Sequence, residues 1–322
     1  MKMKSMFKKA ALRIYDVITS PVTFLYLPLL RVIKLHGIHK FPVNRAVFLR
    51  QGIYPVRNHY YEPQIKYSAQ FDAKKIRNLH IDLREQAQLS MLQQLRYVEE
   101  LRSLPQHKSQ AQQRPGYYLQ NGSFAAGDAD LYYLMIRNLK PKKIIEIGSG
   151  FTTLLSLEAI RRNKAEGHDT KLICIEPYEF QWLEQFEEVE FKKEKVENID
   201  PSFFSQLEAG DFLFIDSSHV IRPENDVLFE YLEILPILAK DVIIHIHDIF
   251  TPRHYRKEWL VDEIRLWNEQ YLLEAFLYFN ESFEILFTLN HLKNSYFPQT
   301  QAVLTNLTAD AEPGSFWLKK MK

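Results

Sequence analysis

From Tyr117 to the end of the chain, short, mainly apolar runs alternate with stretches whose apolar residues recur every three or four positions. The runs are Lys143–Ile147, Lys171–Ile175, Val189–Lys192, Phe212–Ile215 and Val242–His247. Runs of this length, rich in Ile, Leu, Val and Phe, predict buried strands. The stretches between them predict helices over 128–139, 152–162, 180–187, 226–238 and 259–279. Two late apolar runs, Phe283–Leu289 and Ser315–Leu318, could pair at the sheet edge like a hairpin. This rhythm predicts an α/β fold, a doubly wound and mainly parallel Rossmann-like sheet with an antiparallel edge. Ahead of it, Leu89, Leu92, Leu95, Val98 and Leu101 stand at three-residue steps among Gln, Arg and Glu, which predicts a half-buried helix over 79–104. The segment Pro105–Gly116 is polar, lacks apolar periodicity and is bounded by prolines, so it reads as a linker. Gly37–Tyr67, with Pro42, Pro55 and Pro63, reads as ordered loop. The expected organisation is an N-terminal helical and loop extension over 1–104, a linker over 105–116 and the main domain over 117–322.

Composition changes this picture little. The chain has 322 residues and 46% hydrophobic residues, enough to bury a sizeable core. Its 41 Lys and Arg nearly balance 40 Asp and Glu, so no global field points to nucleic acid. The single cysteine, Cys174, lies within an apolar run, which excludes an internal disulfide and suits a reducing, cytoplasmic compartment. The N-terminus departs from this evenness. Lys2, Lys4, Lys8, Lys9 and Arg13 precede the uncharged run Val17–Leu30, which is short for a membrane span and is expected to be interrupted by Pro21 and Pro28. No small-residue cleavage site follows it, so neither a span nor a cleaved signal is expected. Residues 1–35 then suit either peripheral contact with an anionic membrane or packing against the protein itself.

The most informative run is Lys143–Thr153, KIIEIGSGFTT. An apolar strand ends in an acid, and a turn holding Gly148 and Gly150 opens into a helical pattern. Glycines there let a ligand approach main-chain N–H groups directly. The next strand ends at Glu176, at the spacing expected for a carboxylate that accepts from ribose hydroxyls. Polar groups recur at later strand ends: Asp216 and His219 in FIDSSH, His247 and Asp248 in HIHDIF. In an open parallel sheet these ends line the ligand crevice.

With its EIGSG, IEP, FIDSSH and HIHDIF blocks in this order, the chain over 117–322 resembles the class I S-adenosylmethionine-dependent methyltransferases, a bacterial-type branch of them. The resemblance implies that Glu146, Gly148, Ser149 and Gly150 surround the methionine part of S-adenosylmethionine. It also implies that Glu176 holds the ribose, with Pro177 and Tyr178 following it near the adenine, and that Asp216 and His247 lie near the transferred methyl. One departure is Thr152, where the usual pattern has a third glycine. That departure also counts against a nicotinamide-dependent oxidoreductase, the main competing class. A non-catalytic cofactor-binding scaffold is the other.

Methyl transfer is an in-line displacement, so the protein chiefly aligns a nucleophile and helps it lose a proton. The expected catalytic residues are Asp216, His219 and His247. His219 is either a general base or a structural hydrogen-bond partner. Related O-methyltransferases hold magnesium with acids at these strand ends, so Asp216 and Asp248 are candidate ligands for a divalent cation, which would acidify a hydroxyl. Otherwise Asp248 is a cap and His245 a satisfied core histidine. Phe124 and Asp128, in NGSFAAGDAD, either line the cofactor mouth or, for Asp128, cap a helix. The cluster Tyr54, Arg57, His59, Tyr60 and Tyr61, and the run His247–Trp259, suit a substrate lid or interdomain packing. The expected partner is a small-molecule methyl acceptor, a hydroxyl of a small or carbohydrate-like molecule.

Overall fold

The computed structural model describes residues 2–52, 63, 67–68, 70–111, 115–178 and 182–322, with side chains from residue 8 onward. The chain forms two compact units, Met1–Phe71 and Asp72–Lys322. The boundary therefore falls well before the expected Tyr117.

In the first unit, Lys2–His36 is one continuous helix, α1, with Pro21 and Pro28 inside it. The prolines do not interrupt it, contrary to expectation. Among the described residues, Lys8–His36 is the helix long and apolar enough to cross a membrane. A second helix, α2 (Pro42–Gln51), replaces part of the expected loop. Pro42 opens it at a position where the missing N–H costs nothing, and Gly52 closes it with φ 65°. Ile33, Ile38 and Phe48 form a small core with Leu30 and Phe41. The cluster Tyr54–Tyr61 lies outside the described residues.

The second unit is built on seven strands, β1 (Lys143–Ile147), β2 (Lys171–Ile175), β3 (Val189–Lys192), β4 (Phe212–Ile215), β5 (Ile243–Ile246), β6 (Phe283–Thr288) and β7 (Phe316–Lys320), in the order β3-β2-β1-β4-β5-β7-β6. The first five run parallel, and β7 enters antiparallel to both β5 and β6. The two late strands do pair, but β7 takes the inner place beside β5. Side chains alternate across the sheet, so Ile144, Leu172, Phe212 and Phe214 face one core, and Ile145, Ile173, Leu213 and Ile244 face the other. Burial on both faces is why these strands read as unbroken apolar runs. Helices α4 (Asp128–Leu139) and α5 (Phe151–Ala165) cover the first face.

Several expected helices are interrupted, each for a visible reason. The stretch 79–104 holds only α3 (Glu85–Gln94) and a tight turn at Val98–Ser103. Between them the Asn138 side chain clamps Arg96, accepting from its N–H at 2.8 Å and donating to its C=O at 3.1 Å, and Tyr97 takes φ 67°. Leu89, Leu92, Leu101 and Leu104 join the main core, so this stretch belongs to the second unit. Helix α6 (Asp226–Phe229) widens into a π-helical turn at Glu230–Ile234 ahead of Pro236, which lacks an N–H to continue the ladder. The expected helix over 259–279 is a π-helical turn at Glu258–Asp262, an irregular aromatic stretch and α7 (Glu269–Leu277). The described part of 180–187 forms turns. Two short helices, α8 (Leu289–Ser295) and α9 (Phe297–Val303), lead toward β7.

Candidate functional site

The strand order places β1 between β2 and β4, whose connections leave to opposite faces, so a crevice opens beyond the carboxyl end of β1. The two glycines there do different work. Gly148 has φ +81°, and a Cβ on it would meet the Asp216 carbonyl oxygen at 2.0 Å. It is required because β4 passes too close for a side chain. Gly150 has an extended φ of 164°, and nothing lies within 4 Å of where its Cβ would be. It leaves open space, which is part of a cavity of about 880 Å³.

Glu146 does not reach that cavity. It is fully buried beneath the turn, where Thr153 donates to one oxygen at 2.6 Å, Cys174 at 3.2 Å, and Ser156 and Tyr132 donate to the other at 3.3 and 3.4 Å. Burial pushes its carboxyl up to about 7 against these donors. Thr153 also accepts from the Gly150 N–H at 3.1 Å. Glu146 thus fixes the start of α5 to β1, a structural post under the turn.

Glu176 is held against the turn: the Ser149 N–H donates to it at 3.3 Å and the Tyr178 N–H at 2.8 Å. Burial raises its carboxyl above the usual range, with Asp216 adding to the effect. Ser149 and Gly150 line the large cavity; Glu176 lies one hydrogen bond behind them. Tyr178 is exposed and Pro177 half-buried, and both lie outside the cavity lining. Residues 179–181, which follow, lie outside the described chain.

The other wall of the cavity is a cluster of acids and histidines. Asp216 follows β4, and His247 and Asp248 follow β5. His247 Nδ1 stands 3.5 Å from Asp216 and 3.7 Å from Asp248, and its Nε2 stands 3.6 Å from Asp128. His219, at φ 61°, places Nε2 3.3 Å from Asp216 and 3.5 Å from Asp248, while Nδ1 meets Glu269 at 2.8 Å. Burial disfavours charge on both rings, but the carboxylates outweigh it: Asp216 and Glu269 hold His219 well above the usual imidazole range, and Asp248 and Asp216 do the same for His247. In return, His247 and His219 overcome burial and hold Asp216 well below the carboxylate range. Asp248 moves the other way, raised by burial with Asp216 and Asp128 adding to it. His219 lies behind the cavity wall, covered by Trp267 at 4.4 Å and held between Asp216, Asp248 and Glu269.

One nitrogen of His219 and one oxygen each of Asp216 and Asp248 lie within 4.8 Å of one another. Such a mixed oxygen and imidazole set fits a divalent cation, with Glu269 orienting the ring from behind. His245 is the core histidine: Nε2 is 3.0 Å from Ser315 Oγ, the ring stacks on Phe214 at 4.2 Å, and burial keeps it neutral. Asp128 is not a helix cap. It accepts from the Gly314 and Ser315 N–H groups at 3.0 and 2.8 Å, which ties α4 to the approach to β7. Phe124 is held by an Asn121 side chain that bonds its N–H and C=O, so its ring packs 5.1 Å from His247 on the cavity wall.

Sequence reading missed several groups. The supposed linker lines the cavity with Lys108, Ala111, Pro115 and Gly116, and folds back so that Leu119 N–H donates to Pro105 C=O at 2.7 Å. Arg256 and Arg265 flank Trp259 at 5.0 and 4.7 Å on the rim, and Arg265 also lies over Trp267. Trp259 and Arg256 belong to the run expected to form a lid. Trp182, Arg265 and Glu269 carried no motif; the one hint of Glu269 was an acid heading the apolar face of a helix. A second hollow of about 590 Å³, lined by Gln106, Gln120, Asp128 and Asn306, shares His247, Asp248, Arg256 and Trp259 with the first.

Residues 145–249 match the sequence family described as a methyltransferase domain. An uncharacterised protein of Archaeoglobus fulgidus is 31% identical over 137 residues, covering 40% of this chain and 59% of its own length, so the chain spans about three fifths of that relative. Among solved structures, a candidate methyltransferase of Thermobifida fusca aligns at 11% identity over 60% of this chain and 78% of its own, with a TM-score of 0.40. The O-methyltransferase of Bacillus cereus in complex with SAH aligns at 14% identity over 73% and 91%, with a TM-score of 0.36. At these similarities neither structure bears on substrate or mechanism.

Proposed function

We propose, from the premise that this chain carries a class I methyltransferase domain, that it transfers the methyl group of S-adenosylmethionine to a hydroxyl of a small, polar, carbohydrate-like acceptor. The observation that carries this reading is the Ser149 N–H to Glu176 bond, which draws the ribose-type acid against the glycine turn at the edge of one cavity. A carboxylate retains lone pairs beyond those two amides, enough to accept from a vicinal diol. Gly150 leaves the space and Ser149 and Gly150 the main chain for the methionine end. The acid and histidine wall then faces the sulfonium methyl, and an anionic wall favours a cationic sulfonium.

The second hollow supports the acceptor class. Its amide and carboxyl groups suit hydroxyls, and Trp259 at the junction offers a flat face for a sugar ring. In the displacement the sulfur–methyl bond breaks as the oxygen–methyl bond forms, and the hydroxyl proton must leave. Asp248, on the wall of both hollows and with a carboxyl made more basic by burial, is the group placed to receive it. Asp216 orients the hydroxyl, and His247 and His219 balance the charge of the acids around them. Asp216, Asp248 and His219 would hold a divalent cation, which supplies Lewis acidity toward the acceptor oxygen when bound. Calorimetric titration with S-adenosylhomocysteine and with NAD tests the cofactor assignment, and mass spectrometry of candidate polyhydroxylated acceptors for a methyl gain tests the reaction. Binding of NAD without S-adenosylhomocysteine would refute it.

A further inference from the structure

The methyl-transfer reading leaves the N-terminal helix without a role, and its side chains are arranged on a pattern of their own. At about 100° per residue, Lys9, Arg13, Asp16, Ser20, Thr23, Arg31 and Lys34 fall within an arc of about 80° that runs the length of α1, broken only by Leu27. The opposite arc is apolar and bare to solvent, with Ile18 68%, Val22 67% and Leu25 74% exposed. An amphipathic helix with its apolar face uncovered has its burial still to make.

Charge identifies what covers it. Residues 1–52 hold ten of the 41 Lys and Arg but only Asp16 among the 40 acids, an excess of nine positive charges. The remaining 270 residues hold 31 and 39, an excess of eight negative charges. The near-neutral total therefore conceals a basic segment attached to an acidic remainder. We propose that α1 lies in the plane of an anionic bilayer surface, its apolar arc among the acyl chains and its basic stripe at the headgroups.

Two features set this orientation apart from a span. Although Lys8–His36 is long and apolar enough to cross a membrane, its charge-free part, residues 17–30, is about 21 Å long against a hydrocarbon core of about 30 Å, so a span would draw Asp16 or Arg31 into the core. Basic groups also lie on the same face at both ends, where an in-plane helix needs them. The prolines agree: Pro21 and Pro28 cannot donate to the Val17 and Phe24 carbonyls, which water or headgroups reach directly at the interface, whereas at the bilayer centre they would need a neighbouring helix or side chain.

The test uses the full chain with phosphatidylcholine vesicles, with and without phosphatidylglycerol. Sedimentation should require phosphatidylglycerol, and K9E/R13E/R31E/K34E should weaken it on the order of tenfold or more. Because Cys174 is buried, nitroxide labels can be placed singly at Leu25→Cys and Thr23→Cys. On anionic vesicles the first should become inaccessible to aqueous nickel while the second stays accessible. Failure to bind, or equal binding to neutral vesicles, overturns the proposal. So does equal shielding of both labels, which means a spanning helix, or shielding of the first label without vesicles, which means that the helix is covered by protein. Unchanged S-adenosylhomocysteine affinity in the charge-reversed variant checks folding independently of the lipid result.

Discussion

The two walls of the large cavity are made of different materials. On the β1 and β2 side the surface is main chain: neighbouring residues in one turn, a strand passing behind Gly148, and a single acid, Glu176, held by two amides. On the β4 and β5 side it is side chains, Phe124, Asp216, His247 and Asp248 at the surface with Asp128, His219 and Glu269 behind them, more than 140 residues apart at the extremes. The first wall recognises a shape with neutral, fixed dipoles, which suits a cofactor that is always the same. The second concentrates charge that can shift with protonation or an ion, which suits chemistry. Variants on the two walls should fail in different ways.

The largest contrast is between the glycines. Gly148→Ala should cost at least ~2 kcal/mol of stability, because φ +81° and the Asp216 carbonyl both oppose a Cβ. Gly150→Ala should leave thermal stability within ~0.5 kcal/mol yet weaken S-adenosylhomocysteine binding, since its methyl enters only open space. Thermal melts beside calorimetry separate the two, and equal destabilisation would erase the distinction. Next is Asp248→Asn, expected to lower kcat by about 10²- to 10⁴-fold with cofactor affinity little changed, measured by single-turnover methyl transfer. Loss of cofactor affinity instead would move Asp248 to the recognition wall.

Glu269→Gln acts one step back, through His219, and should cost on the order of tenfold in turnover. It should also alter the pH dependence of stability. His219 and His247 have folded pKa values raised above their unfolded ones, so their contribution is fully present below pH ~6.5 and is lost as pH rises through the folded values. Asp216, depressed in the fold, supplies a contribution that is lost instead as pH falls below ~3.9. Melting temperature followed upward from neutral pH should fall earlier in Glu269→Gln than in the parent chain; superimposed curves would show that Glu269 does not support the imidazolium. The smallest effect is that of a divalent ion. Magnesium or manganese at a concentration about equal to its Kd should stabilise the chain by only ~0.4 kcal/mol, and Asp248→Asn should abolish the gain.

The same division decides what could be read from sequence. Strand β1, the glycine turn and Glu176 are local: an apolar run, two glycines and an acid at a fixed interval announce themselves, and four parallel strands were legible because burial on both faces leaves them mainly apolar, while the edge strand β3 keeps Glu190 and Lys192. Lys108 and the segment over 105–116 were not legible, because a polar stretch folded back against a cavity has the composition of a spacer. Nor was the role of Glu146, whose place at a strand end resembles a contact until the four donors beneath the turn are seen. Glu269 meets His219 only through tertiary packing, fifty residues away in sequence. The helices broken near Tyr97, Pro236 and Glu263 kept their apolar period while a clamp, a proline or stacked aromatics overrode it.

The most direct measurement is a crystal structure of the chain grown with S-adenosylhomocysteine. The homocysteine should lie along the Ser149 and Gly150 main chain, with both ribose hydroxyls on Glu176 and the sulfur turned toward Asp216 and Asp248. A ligand bound elsewhere, or a Glu176 that keeps only its two amides while the nucleoside sits apart from it, would contradict the assignment of this cavity to methyl transfer.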